Sequence, residues 1–374
     1  MTKMSSEEKI GHHEALSLLV IILSAKVFLS FPRNMALLGD AAGWIIVFLA
    51  GIYSLVGYFF LSALLKKYPG KNIIQIAHQV SGGICGKLIG AALFLFFLMT
   101  TSLYLRQFAE SFILAILPRT PISVITILFL ILLVYTALLG VETLSRVAWL
   151  LGPYLLIALI IIFLFSLPQM TFDHLVPVLG PGPVPLIKYS LTHLSLFSEI
   201  ILFGIIAPLI RSREKINRIG LYILGVAVVI NTGVTILTTA VFNYVETQKM
   251  VFPVFQLTRL VAYGEFVQRV EAVFVFLWFF WAGIQLSGLF YGAVTSFAQT
   301  FRIKNYRPLT LPIAVLTFTI SLIPASMTET VELGDYTTSP SLISNYYSIA
   351  AFGIPFLLWL IAFAKKHLGG VTND

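Results

Sequence analysis

Two ionisable residues stand in the middle of long apolar runs: Lys26 within residues 18–29 and Glu199 within residues 194–203. A charge at bilayer depth costs several kcal/mol unless it is paired, hydrated or functional, so each residue marks a site by default. Three roles are open to Lys26. It can pair with Glu199 as a structural tie. It can stand where a cation would otherwise sit, or carry a proton. It can snorkel, or point into a water-filled vestibule. Glu199 is too short to snorkel far, so it either binds an ammonium group or pairs with Lys26.

Other polar groups fall at comparable depth. Thr100, Thr101 and Tyr104 share one apolar run; Trp278, Trp281, Gln285 and Ser287 share another. Trp278, Trp281 and Gln285 follow i, i+3, i+7 and so lie on one helix face. Arg106 and Glu110 have the i, i+4 spacing of a local ion pair. Gly82, Gly86 and Gly90 repeat at the spacing that lets helices approach closely. His12, His13, His78, His174, His193 and His367 are scattered without metal-ligand spacing, and Cys85 is the single cysteine, so no metal site and no intrachain disulfide is expected. No phosphate-binding glycine loop, nucleophile elbow or zinc motif occurs, which leaves an ATP-driven pump or an enzyme unsupported and no cofactor expected.

The elements that hold these residues follow from composition. The 374 residues are 58% hydrophobic and 11% charged, against about 25% charged for soluble domains. The chain therefore belongs in a lipid bilayer, and its net charge of +8 reports loop lysines and arginines rather than a nucleic-acid partner. Ten spans are expected, at roughly 13–38, 43–65, 88–115, 121–140, 145–167, 188–210, 217–242, 268–299, 308–327 and 344–364. Sixteen of the 24 lysines and arginines fall on one side of these spans and seven on the other, with Lys26 inside the first. The richer side is cytoplasmic, so both termini are expected there. The first run contains Lys26 and lacks a small-residue cleavage site, so no cleavable signal is expected. Residues 71–80 predict a cytoplasmic interfacial helix, and 246–267 an outer amphipathic segment that either lies on the surface or lids the site. No appended soluble domain is expected.

Ten spans divide into five plus five. An odd half re-enters from the opposite side, so repeats over roughly 13–167 and 188–364, joined by a loop at 168–187, would be inverted. Span one then corresponds to span six. At 1.5 Å per residue Lys26 lies about 20 Å past His13 and Glu199 about 15 Å past Lys188, both near the middle of a core about 30 Å thick. Interruption of both spans is expected, since freed backbone groups bind substrate and ion in transporters of this layout. The breakers are Ser24, Ala25, Ser30 and Pro32 in one, and Ser195, Ser198, Gly204 and Pro208 in the other, with no glycine pair in either.

Several spaced segments carry a resemblance: Phe28-Leu29-Ser30-Phe31-Pro32-Arg33, residues 68–77 beginning Tyr68-Pro69-Gly70, Leu105-Arg106-Gln107-Phe108-Ala109-Glu110, Phe197-Ser198-Glu199-Ile200, and residues 252–257 and 266–272 followed by Trp278. Together they make the chain resemble the B subunits of spore germinant receptors, a branch of the amino acid–polyamine–organocation transporter superfamily. The resemblance implies an all-α, LeuT-like inverted-repeat fold. It implies a germinant site between spans one, three, six and eight, for an amino acid or another small nutrient. Carried over by position, the ligand-binding residues are Ala25, Lys26, Val27, Phe28, Thr101, Tyr104, Phe197, Ser198, Glu199 and Trp278. It also implies an A subunit and a lipoprotein C subunit as partners in the inner membrane of a spore. The family's Gly-x-Gly break falls at Ala25-Lys26-Val27, where both glycines are missing. Lys26 could there supply positive charge for a carboxylate or take the ion's position. Two other readings stand beside the sensor: a proton-coupled amino-acid permease, and a scaffold or ion-conducting subunit with a vestigial site.

Overall fold

The computed structural model describes residues 9–211, 216–260, 270–326, 329–330 and 342–368, and the described part is helical. Helices α1 (His12–Ser24), α2 (Phe31–Gly39), α3 (Gly43–Lys67), α4 (Ile73–Ser81), α5 (Gly83–Ala115), α6 (Ile122–Leu139) and α7 (Val141–Ser166) come first. Then follow α8 (Pro183–Thr192), α9 (Ile201–Ile206), α10 (Ile216–Phe242), α11 (Tyr244–Lys249), α12 (Pro253–Leu260), α13 (Val270–Thr300), α14 (Thr310–Ser321), α15 (Leu342–Ser348) and α16 (Ile354–Leu368).

Among the described residues eight stretches are long and apolar enough to cross a membrane, which makes this a multi-pass membrane protein. The difference from the expected ten has a local cause. The expected first span is split into helices of 13 and 9 residues, and the second of these runs on toward α3. The expected ninth contains a helix of 12 residues. Residue 327 at its end, residues 261–267 of the outer segment and the first two residues of the expected eighth span lie outside the described residues.

Two breaks define the centre. After Ser24 the chain makes a single 3-10 turn, Ala25–Phe28, and Leu29 is extended (φ −96°, ψ −154°) before α2 begins. Pro32 lies in the first turn of α2, where its missing N–H and fixed φ are tolerated. In the second break α8 ends at Thr192, Leu194–Ile200 forms 3-10 turns with a kink at Phe197 (φ −121°, ψ 21°), and α9 resumes at Ile201.

The helices pack as the small residues direct. A Cβ at Gly86 would collide with His78 of α4, and one at Gly90 with Thr300 of α13, so these glycines seat α5 against both. Helix α4 is capped by Asn72, whose side chain accepts from the Gln75 N–H at 2.9 Å, and it buries Ile73, Ile74, Ile76, Ala77 and Val80. Gly140 takes φ +90° at the corner between α6 and α7. At one end of the bundle Ile10 pairs in parallel with Ile210: its N–H donates to the Leu209 carbonyl at 2.9 Å, and the Arg211 N–H donates to its carbonyl at 3.0 Å. Glu142 of α7 accepts the Lys9 N–H beside it at 3.1 Å.

Candidate functional site between the two helix breaks

The two breaks face each other, and Lys26 joins them. Its Nζ lies 3.0 Å from Oε1 and 3.0 Å from Oε2 of Glu199, and it also donates to the Leu196 carbonyl. Both charged residues are buried, at 3% and 1% exposure. Tyr104 of α5 donates its hydroxyl to Glu199 Oε1 at 2.9 Å. The Phe197 ring lies 5.8 Å from Nζ, within reach of a cation–π interaction.

A broken helix leaves carbonyls without intrahelical partners. At the end of α1 three side chains from neighbouring helices donate to its last carbonyls, of which Ile21 also accepts the Ala25 N–H. Trp281 Nε1 donates to Ile21 at 2.8 Å, Gln285 Nε2 to Ile22 at 3.1 Å, and Asn231 Nδ2 of α10 to Leu23 at 3.3 Å. Lys26 does the same for Leu196 in the opposite break. With no glycine at either break, side-chain donors rather than backbone permissiveness hold them open. A hydrogen bond to a charged group contributes about 1.5–3 kcal/mol, and an unsatisfied buried acceptor costs about 1–3 kcal/mol.

An aromatic cluster closes one side. Trp278 stacks on Phe112 at 5.2 Å between centroids and lies near Phe252 and Phe255, the latter on α12, and near Phe274. Phe274 and Trp281 both meet Phe28 edge-on, at 5.6 and 4.7 Å. The described part of the segment 246–267 thus packs against the first break. Trp278 Nε1 is buried without a hydrogen-bond partner.

The structure therefore brings Lys26, Tyr104, Phe197 and Glu199 together, with Ala25, Val27, Phe28 and Ser198 buried in the adjoining turns. Thr101 turns its hydroxyl to the Phe97 carbonyl of its own helix at 2.6 Å, and Trp278 sits in the aromatic cluster rather than against the charges. Arg106 and Glu110 form a local pair at 2.7 Å. Asn231 and Leu196 were not expected. Asn231 had a readable signal, a side-chain amide inside the apolar run 223–237; a backbone acceptor such as Leu196 has none.

Comparison with known proteins bears on the fold and the family. A family model described as spore germination protein matches residues 9–330. The chain is 22% identical to spore germination protein B2 of Bacillus subtilis (strain 168), over 97% of this chain and 98% of that protein. Among solved structures it is similar to MhsT in complex with L-phenylalanine, with TM-score 0.66, 17% identity, and 92% and 87% of the two chains covered. It is also similar to Mhp1, a nucleobase–cation symport-1 family transporter in a closed conformation with bromovinylhydantoin bound. There the TM-score is 0.67 at 14% identity, with 95% and 78% of the two chains covered. The backbone thus has the fold of these transporters, as the sequence resemblance implied, and the chain belongs to the spore germination protein family.

Proposed function

We propose that this protein is the B subunit of a spore germinant receptor, sensing an amino acid or another small nutrient between its two broken helices. In this reading ten spans form two inverted five-helix repeats. Both termini face the cytoplasmic side of the spore inner membrane, and A and C subunits read the state of the bundle. The observation that carries it is the buried Lys26–Glu199 pair, which spans the two breaks. A zwitterion satisfies both charges: its carboxylate replaces Glu199 at Lys26, and its ammonium group replaces Lys26 at Glu199. One ion pair is exchanged for two, so neither charge is left unpaired in a medium where that is costly. The aromatic residues Phe28, Phe197 and Trp278 would take the apolar part of such a ligand. L-phenylalanine, with which MhsT is in complex, is a molecule of this chemistry.

A ligand that binds the folded state raises its stability. Purified protein should therefore melt at higher temperature with the right amino acid, and Lys26→Met should abolish the shift. No shift across amino acids and nutrient sugars would instead favour a scaffold. The transporter fold supports a second reading, a proton-coupled permease. Saturable, proton-dependent accumulation of labelled ligand in proteoliposomes would establish that reading and end the pure sensor.

A further inference from the structure

A cavity of about 250 Å³, lined by none of the residues of the central site, lies between α6, α7 and α13. Leu132 and Tyr135 of α6, Leu144 and Val147 of α7, and Gly283 and Ser287 of α13 line it, and no charged side chain does. Tyr135 and Val147 are 60% and 40% exposed on the outward faces of spanning helices, so the cavity opens toward lipid.

Four hydroxyl residues line it, Tyr135, Thr136, Thr143 and Ser287, and Ser287 differs from the rest. It is 1% exposed and its hydroxyl has no hydrogen-bond partner. Hydroxyls in spanning helices ordinarily donate one turn back, as Thr136 does to Leu132 at 2.9 Å and Thr143 to Leu139 at 3.4 Å. Those two hydroxyls at the cavity are therefore engaged, and Ser287 is left open. Water needs two to four polar partners; Tyr135 lies at the exposed rim, and within the cavity Ser287 supplies one. A charged ligand would find no counter-charge.

The geometry points to a binding site for a small neutral molecule with a hydrocarbon body and one hydroxyl or carbonyl, entering sideways from the bilayer and hydrogen-bonding to Ser287. Its floor is the helix whose Trp281 and Gln285 hold the carbonyls of α1, so an occupant braces the element that supports the first break.

The test uses the full-length protein in lipid nanodiscs and a decanol carrying a diazirine, with adducts mapped by peptide mass spectrometry. Expected are saturable adducts confined to α6, α7 and α13, competed by plain decanol. Ser287→Ala should weaken apparent affinity about 3- to 10-fold, the effect of one hydrogen bond. Val147→Trp, a change at the exposed rim that fills the cavity without touching the packed core, should abolish labelling. Labelling that rises linearly with probe and spreads evenly over outward helix faces, as annular lipid alone would give, overturns the site. So does labelling unmoved by both substitutions.

Discussion

Lys26 and Glu199 meet at 3.0 Å across 173 residues of sequence, each inside a helix that breaks at that point. Neither charge could stay buried alone. Removing one partner of a buried pair typically costs about 3–5 kcal/mol, because the other charge is left uncompensated. Lys26→Met and Glu199→Gln should each destabilise on that order, and the double substitution by clearly less than their sum. Equilibrium unfolding of the four species in mixed micelles measures the coupling. Additive losses would show that the pair carries no interaction energy.

Tyr104→Phe deletes one hydrogen bond to a carboxylate and leaves the ring in place. The expected cost is about 1.5–3 kcal/mol. Tyr135→Phe, at a residue 60% exposed, should fall within about 0.5 kcal/mol. Equal effects at the two positions would mean that the Tyr104 hydroxyl does not support Glu199.

The carbonyl caps at the end of α1 can be cut one at a time. Gln285→Leu strips a donor from the buried Ile22 carbonyl, for about 1–3 kcal/mol, and Trp281→Phe removes one from Ile21, which keeps the Ala25 N–H, for about 0.5–1.5 kcal/mol. Amide hydrogen exchange should quicken at residues 21–30 before it changes elsewhere. Uniform acceleration across the bundle would instead point to lost packing.

His78 provides a pH-dependent prediction outside the spans. It sits half-buried on α4 against Gly86. Burial, and secondarily the Arg302 guanidinium and Lys87, lower its pKa, opposed in part by the Thr300 backbone. The folded state thus binds this proton less readily than the unfolded chain does. Stability from this residue is full above the unfolded value of about 6.5 and declines as pH falls through it, levelling off below the folded value. Unfolding midpoints from pH 7.5 to 5 should drop in the parent and drop less in His78→Gln. Parallel curves would exclude His78 as the source.

Much of this was legible beforehand, for physical reasons that can be named. Lys26 and Glu199 declared themselves because lipid makes any charge in an apolar run conspicuous. Tyr104, Trp281 and Gln285 were readable as polar groups on spanning helices, though not what each would bond to. Thr101 looked equally promising but turned back to its own helix, a choice decided by rotamer rather than residue type. The breaks themselves were only half-written in the sequence. No glycine marks either one, and the carbonyls of the first break take donors from two distant helices, α10 and α13. The 12-residue helix at Thr310–Ser321 fell short of its apolar run because hydropathy measures burial in lipid, not where helical turns end.

The pairing of Ile10 with Ile210 is made of main-chain groups alone. The hydrogen bonds of such a fastening do not depend on side-chain identity and are lost only if a donor position becomes proline, while the Ile10 and Ile210 side chains, 0% and 1% exposed, anchor it in the core. Apolar exchanges of similar size would then leave it intact, and trimming the leading residues would show that the two broken helices share a clasp at one end as well as a charge in the middle.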